Sequence, residues 1–419
     1  LMRRLIESSS TFSSSSIGET SAGMMPLNNT LFCSICVSPS VNELSVQNYV
    51  LYVCHGGHDD EVCLFADLDF GRIAYRRRRM TNDAETIELK EAVASPDLEF
   101  AAIPREPFFD EAGEDLPQIV RGAVSALATR MKQINAKTLV LGVSGGLDST
   151  LALLVCARAA DELGFPRDCV RALTLPGFGT TERTNRNAKK LCGILGVPLI
   201  EIDISDACAR HLAAIGHDGK TADAAYENAQ ARERTQILMD YANMHGGIVV
   251  GTGDLSELAL GWCTYNADQM SMYGVNASIP KTLIRHIIAA EADRVGGELG
   301  EVLRDVIATP VSPELLPTSS VNGETPQHTE AILGPYELHD FFLYHYITGG
   351  AGEEKLLHLA GKAFAGVFDD ALIKKTLTTF MQRLFSQQFK RDPSPDAPQL
   401  TSVSLSPRTG WHIPTGVIH

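Results

Sequence analysis

The sequence predicts an α/β fold: a doubly wound, mostly parallel sheet followed by a helical C-terminal extension. Three observations carry this reading. Between Asp110 and about residue 328, apolar runs of strand length alternate with segments of helical period. Two adjacent glycines, Gly145 and Gly146, stand where the first of those runs hands over to a helix. From Gly334-Pro335 onward the pattern is helical alone, with Pro placed for a first turn. Strand–helix alternation lays parallel strands in one sheet and covers both faces with helices. Right-handed crossovers then put ligands outside the carboxyl ends of the strands.

Taken in order, residues 1–112 read as irregular. Ser8 to Ser16 is almost all Ser and Thr, as in a loop. Short apolar runs follow at Leu31–Val37 and Val50–Cys54, then a strand-like Glu61–Leu68 and the basic run Arg76 to Arg79. The arginines read as a solvated helix face or a partner contact. Cys33-x-x-Cys36 with Cys54-His55 and Cys63 lacks the spacing of a zinc site in its second half and reads as ordinary thiols. Strands are expected at Thr138–Val143, Val170–Pro176, Pro198–Ile204 and Gly247–Thr252. Amphipathic helices are expected at 150–163, 182–195 and 226–244. In the last, Ile237, Leu238, Tyr241 and Met244 share one face at helical spacing. Val311 to Thr329 is rich in Pro, Ser, Thr and Asn and reads as a mobile loop that closes over the site. Residues 336–389 are helical, and the tail from Asp392 has no clear period. His286, His339 and His345 read as packing or hydrogen-bonding side chains.

Composition narrows the function. Of 419 residues, 44% are hydrophobic and 21% charged, which supports a packed core, and the length suits two or three domains at roughly 150 residues each. The net charge of -15 argues against a nucleic-acid groove, which needs clustered Lys and Arg. No apolar run approaches the ~18 residues of a spanning helix. Nine cysteines in so long a chain fit a reducing cytoplasm better than a disulfide framework. No charged segment leading into an apolar one heads the sequence, so no signal peptide is expected; starting at Leu1, the chain is expected to begin inside a longer protein.

The sharpest motif is Leu139-Val-Leu-Gly-Val-Ser144-Gly145-Gly146-Leu-Asp148-Ser149-Thr150. The glycines allow a tight turn with inward-pointing N–H groups, and the helix start adds partial positive charge: an anion nest suited to pyrophosphate. Ser144 and Ser149 can donate to the same group. Asp148 would repel a phosphate, so its useful role is to hold Mg2+. The loop lacks the lysine of G-x-x-x-x-G-K-[ST] and is not G-x-G-x-x-G.

This loop resembles the signature of the ATP pyrophosphatases, which activate a carboxyl or carbonyl as an adenylate. Longer blocks are similar to the synthetase domain of bacterial glutamine-dependent NAD synthetases: Leu175-Pro-Gly-Phe-Gly-Thr180, Tyr226 to Arg234, Gly251 to Tyr265, Asp268 to Lys281, Gly334 to Asp340 and Gln388-Phe-Lys390-Arg391. The resemblance runs from about residue 115 to about 411. It implies an adenine nucleotide alpha hydrolase-like sheet and ATP-dependent amidation of deamido-NAD to NAD through an adenylate, with ammonia or glutamine-derived ammonia as donor. It implies that Gly142, Val143, Ser144, Gly145, Gly146, Leu147, Asp148, Ser149 and Thr252 hold ATP. Asp148 and Glu257 would bind Mg2+. Asn228, Glu257, Trp262, Cys263, Thr264, Tyr265 and Lys390 would line the deamido-NAD site, with Asp148 and Lys390 catalytic. It also implies a homo-oligomer. Plain structural roles stand beside these: Glu257 as a surface acid beside the cap Asp254, Trp262 as core, Lys390 as a solvated turn, Lys281 as a phosphate contact or a cap. Residues 113–419 form the synthetase domain in this reading. Residues 1–112 keep only the end of a nitrilase-like glutaminase domain, through scattered pieces such as Asp67-Leu-Asp69 and Arg76 to Met80, and its catalytic triad is not found. The other readings are a different ATP pyrophosphatase, such as GMP synthetase or a tRNA thiolase, and a nucleotide-binding fragment without activity.

Overall fold

The computed structural model describes residues 32–37, 50–58, 61–69, 72, 75, 92–95, 102–179, 182–309 and 329–414. They fall into two compact units, Leu1–Arg105 with Phe342–Ile373, and Glu106–Phe341 with Lys374–His419. In the first unit, β1 (Phe32–Val37), β2 (Val50–His58), β3 (Glu61–Asp69) and β4 (Ala92–Ser95) form an antiparallel sheet in the order β2-β3-β1-β4. The stretch read as irregular therefore carries paired strands. Its apolar runs are short and interrupted, and a hairpin such as Val50–Asp69 is legible only once the pairing is known. Arg76 to Arg79 lie outside the described residues, as do the side chains of Cys33, Cys36, Cys54, His55 and Cys63, and the segment 311–328.

The second unit is built on five parallel strands: β5 (Thr138–Gly142), β6 (Val170–Thr174), β7 (Leu199–Glu201), β8 (Gly247–Gly251) and β9 (Tyr273–Gly274). Their order is β7-β6-β5-β8-β9, so the winding reverses between β5 and β8. β5 is the middle strand, and Leu139, Val140 and Leu141 are wholly buried, which is why its sequence is apolar without alternation. Helix α1 (Leu116–Ile134) lays Ile119, Val120, Ala123, Leu127 and Met131 along one buried stripe. Helix α2 (Leu147–Leu163) is buried nearly all round, from Leu151 to Cys156 without a break. Helices α3 (Glu182–Leu195), α4 (Ser205–Ala214) and α5 (Ala224–Met244) complete the layers.

Each of the four expected strands forms, with trimmed ends. The third shrinks from 198–204 to 199–201, because Asp203 turns the chain and accepts the N–H of Ser205 at 2.7 Å. On α5, Ile237, Leu238 and Tyr241 pack against the core beside Val140 and Val249. Met244 does not: it closes the helix and remains 72% exposed. The two residues of β9 are too few to carry a periodic signal.

Helices α6 (Leu255–Leu260), α7 (Lys281–Val295) and α8 (Gly297–Ile307) follow β8 and β9. The expected helical zone resolves into α9 (Thr329–Leu333), α10 (Tyr336–Gly349), α11 (Glu353–Ala363), α12 (Asp370–Ser386) and α13 (Gln388–Arg391). The tail then returns as a strap over the second unit. The Gly274 N–H donates to Asp396 O (2.9 Å), satisfying the edge strand. Ser278 Oγ donates to Pro398 O (2.8 Å) and accepts the Leu400 N–H (2.9 Å). The strap's own Val403 and Leu405 are buried.

Buried His339 gives the second unit an acid-sensitive point. Its Nε2 bonds Leu333 O at 3.0 Å, and Nδ1 has no hydrogen-bond partner among the described residues. Burial holds its pKa down to about 4, from 6.5. Between those values the unfolded chain takes up a proton that the native chain refuses. Stability present above pH 6.5 is therefore lost as pH falls toward 4, by roughly 3 kcal/mol from this group. Thermal denaturation from pH 7 to 4.5 should show a steeper decline in the wild type than in His339→Gln. Parallel declines would refute the assignment.

Candidate functional site

At the reversal point the chain leaves β5 and β8 toward the same crevice. After β5, the Val143 N–H is tied to Leu173 O at 2.8 Å, and the backbone then turns through Gly145 at φ +83°. A Cβ on Gly145 would stand 2.0 Å from the Thr184 carbonyl oxygen, so only glycine fits. Gly146 caps α2 without a side chain. Ser144 Oγ accepts the Gly146 N–H and lies 3.2 Å from Ser149 Oγ; Ser149 and Thr150 hydroxyls donate to Gly146 O. The loop is thus held from within, and Leu147, Asp148 and Ser149 form the first turn of the helix.

After β8, Thr252 leads into Asp254, the N-cap of α6. Asp254 Oδ1 accepts the Glu257 N–H at 2.8 Å and Glu257 Oε2 faces the Asp254 N–H, a reciprocal capping box. Buried Asn276 joins the two loops: its Nδ2 donates to Asp148 O (2.9 Å) and Thr252 O (3.0 Å). Asp148, Asp254 and Glu257 converge with carboxylate oxygens within 4.8 Å of one another.

The ammonium of Lys281 sits among them. Its Nζ lies 2.7 Å from Asp148 Oδ2, 2.8 Å from Asp254 Oδ2 and 3.0 Å from Glu257 Oε1. The Tyr336 ring lies on it at 5.4 Å. Burial alone would push the ammonium toward its neutral form; the three carboxylates outweigh that and hold its pKa well above the ordinary lysine value. Burial pushes the Glu257 carboxyl up to about 7 and raises Asp254 too, against the pull of Lys281. The lysine backbone is fixed as well. Its N–H donates to Ser256 Oγ at 2.8 Å, Ser256 donates to Asp340, and Asp340 accepts both the N–H and hydroxyl of Thr282. The acidic cluster suits a hard divalent cation: all donors are carboxylate oxygens, and Asp148 Oδ1 is buried with no hydrogen-bond partner among the described residues.

The expected substrate residues line the next turn. Thr264 Oγ1 donates to Asn228 Oδ1 (2.7 Å). Tyr265, 42% exposed, lies beside Phe389 with ring centroids 5.5 Å apart. Trp262 carries the Arg383 guanidinium on its face at 5.3 Å. Cys263, whose thiol burial pushes up to about 12, and Glu257 line a cleft with Asp268 and Gln269. Lys390 Nζ donates to Gly261 O (2.9 Å) and Cys263 O (2.7 Å). Arg383 Nε donates to Leu260 O at 2.8 Å. Arg391, wholly buried, donates to Leu258 O (3.1 Å), Ala259 O (3.0 Å) and Leu384 O. Three cations thus cap the carbonyl end of the helix that carries Glu257.

The comparisons bear on this geometry. The family model for NAD synthase matches residues 119–359. The chain belongs to the NAD synthase family. The glutamine-dependent NAD(+) synthetase of Mycobacterium bovis is 41% identical over 341 residues, 75% of this chain and 50% of that protein. The protein of that name from Acinetobacter baylyi is 27% identical over 308 residues, 72% of this chain and 52% of its own length. The chain therefore spans about half the length of these relatives. A crystal structure of a glutamine-dependent NAD(+) synthetase from Cytophaga hutchinsonii shares the fold, with a TM-score of 0.57 at 16% identity over 73% of this chain and 54% of that one.

Within this NAD synthase family member, the structure brings Asp148 and Glu257 together and adds Asp254, Lys281 and Asn276, which the motif reading left as a cap, an open choice and an unassigned residue. The signal was the capping-box spacing Asp254-x-x-Glu257, which places both acids on one helical turn. Gly145→Ala should lower stability by at least about 2 kcal/mol, read from the thermal midpoint, because the Thr184 carbonyl cannot give way. Arg391→Met should cost about 3 kcal/mol in urea unfolding, through three orphaned carbonyls, and Arg391→Lys should not restore it. A loss below about 1 kcal/mol would mean those carbonyls find other donors.

Proposed function

We propose that this chain makes NAD by ATP-dependent amidation of deamido-NAD, through an adenylated carboxyl, with release of pyrophosphate and AMP. The observation that carries this reading is the meeting of two loops at the reversal of the sheet. The glycine loop after β5 opposes the Asp254–Glu257 turn after β8, with Lys281 between them. Family membership supports the reaction.

Gly142, Val143, Ser144, Gly145, Gly146, Leu147 and Ser149, with Thr252, hold ATP, the loop N–H groups cradling its phosphates. A carboxylate oxygen of the nicotinate attacks the α-phosphorus and pyrophosphate departs. Ammonia attacks the acyl carbon, AMP leaves with the carboxyl oxygen, and the nitrogen loses a proton. Asp148 and Glu257 would hold Mg2+, which would supply positive charge against the phosphate oxygens when bound. Lys281 is placed to neutralise charge that develops there. Asn228, Trp262, Cys263, Thr264 and Tyr265 line the deamido-NAD pocket, with Tyr265 offering an exposed ring for stacking. Lys390 supports this pocket by holding the carbonyls of Gly261 and Cys263. Ammonia is the nitrogen donor in this reading, free or released from glutamine elsewhere, residues 1–112 being the end of a glutaminase domain. The protein works in the cytoplasm as a homo-oligomer on small molecules, without nucleic acid. No helix of the described residues is long and apolar enough to cross a membrane.

The chain with Mg-ATP and deamido-NAD should yield NAD and AMP in equal amounts when ammonium is supplied. Asp148→Asn or Glu257→Gln should lower kcat about a hundredfold or more. NAD from glutamine as well would assign a glutaminase to this chain. No NAD from either donor, with folded protein, would overturn the reading.

A further inference from the structure

We propose that the Lys281 ammonium is a built-in counter-ion that competes with the divalent cation for Asp148, Asp254 and Glu257, so that the nucleotide-free protein binds the free ion weakly. This rests on the reading of those acids as the metal-holding residues of the synthetase.

The geometry makes the competition direct. Nζ lies within 3.0 Å of one oxygen from each of the three carboxylates, the same three groups whose oxygens converge as a cation site. The ammonium donates to Asp148 Oδ2 and Glu257 Oε1 and stands 2.8 Å from Asp254 Oδ2, so each carboxylate has a positive partner without a metal. A divalent ion arriving alone meets one oxygen of each acid already paired with the ammonium, and a positive charge a few ångströms off. The lysine cannot retreat cheaply. Its side chain is 4% exposed, its N–H is held by Ser256, and Asp254 is 0% exposed, so withdrawal leaves a buried carboxylate uncompensated.

The burial is graded. Asp254 and Lys281 form a closed floor, whereas Asp148 and Glu257 retain 22% and 25% of their surface at the mouth. A phosphate seated on the neighbouring glycine loop offers the ammonium another anion. Nucleotide and metal then enter together, and binding of the ion is coupled to binding of the triphosphate.

Mn2+ serves as the probe, with free ion counted by electron paramagnetic resonance in nucleotide-free protein. The wild type should bind weakly. Lys281→Met should bind about tenfold tighter or more, because a nearby positive charge has gone, and Lys281→Arg should remain weak. If Lys281→Met does not fold, Lys281→Met/Asp254→Asn removes the buried pair as a unit and should bind tighter than Asp254→Asn alone. Tight binding by the wild type, unchanged or weaker binding by the folded methionine variants, or an arginine variant as tight as methionine would each overturn the proposal. The assay of the preceding section separates the two readings. NAD formed without the Mn2+ shift defeats the counter-ion alone; the shift without NAD defeats the substrate reading and leaves the counter-ion standing.

Discussion

Three carboxylates with oxygens inside 4.8 Å of one another repel, and in a protein interior they stay together only if something positive stands between them. Here that is the ammonium of Lys281, and the second unit is arranged to keep it there. Its position requires α7 to start where it does, so Pro280 precedes the helix and Asp340 takes the Thr282 N–H and hydroxyl. It requires Ser256 to orient the lysine backbone, and so a partner for Ser256. It requires the loops after β5 and β8 to be held together, which Asn276 does from beneath. Buried polar networks of this kind are stable only when nearly complete, which gives each of these residues a reason to be what it is.

The other end of α6 obeys the same logic with the signs exchanged. A helix of six residues has almost no internal hydrogen bonding to spend, and its last carbonyls face inward. Arg383, Lys390 and Arg391 supply donors to the carbonyls of residues 258–261 and 263. The glycine at 261, in the left-handed region at φ +55°, lets the chain turn against Gln387 where a Cβ would collide. Acids at one end and bases at the other hold a short helix as a rigid bracket for Glu257.

Much of this was legible in the sequence because the relevant signals are local. A buried parallel strand must read as an apolar run, so β5, β6 and β8 announced themselves. The glycine loop had to contain Gly145, and the capping box had to hold Asp254 three residues before Glu257. What escaped was the meeting of residues far apart in the chain. Lys281 stands 133 residues from Asp148, and a lysine's partners are not encoded beside it. Asn276 is one amide among many until both carbonyls are seen. The two carbonyls that the Lys390 ammonium holds, 127 and 129 residues away, are likewise not written beside it. Met244 shares the stripe by spacing, but it is the last residue of the helix and stays exposed. The antiparallel strands of the first unit, short and broken in sequence, depend on cross-strand pairing that no single run displays.

The strap at 394–405 also bears on how the protein is made. Ser278 and Pro398 lie 120 residues apart, and the edge strand's Gly274 waits on Asp396. On a ribosome that adds about 5–20 residues each second, the sheet emerges many seconds before its cover does. During that interval the β9 edge and the surface that later covers Val403 and Leu405 face solvent bare. The growing chain thus passes through a stage in which the crevice at the reversal of the sheet is nearly assembled while the edge strand still awaits closure.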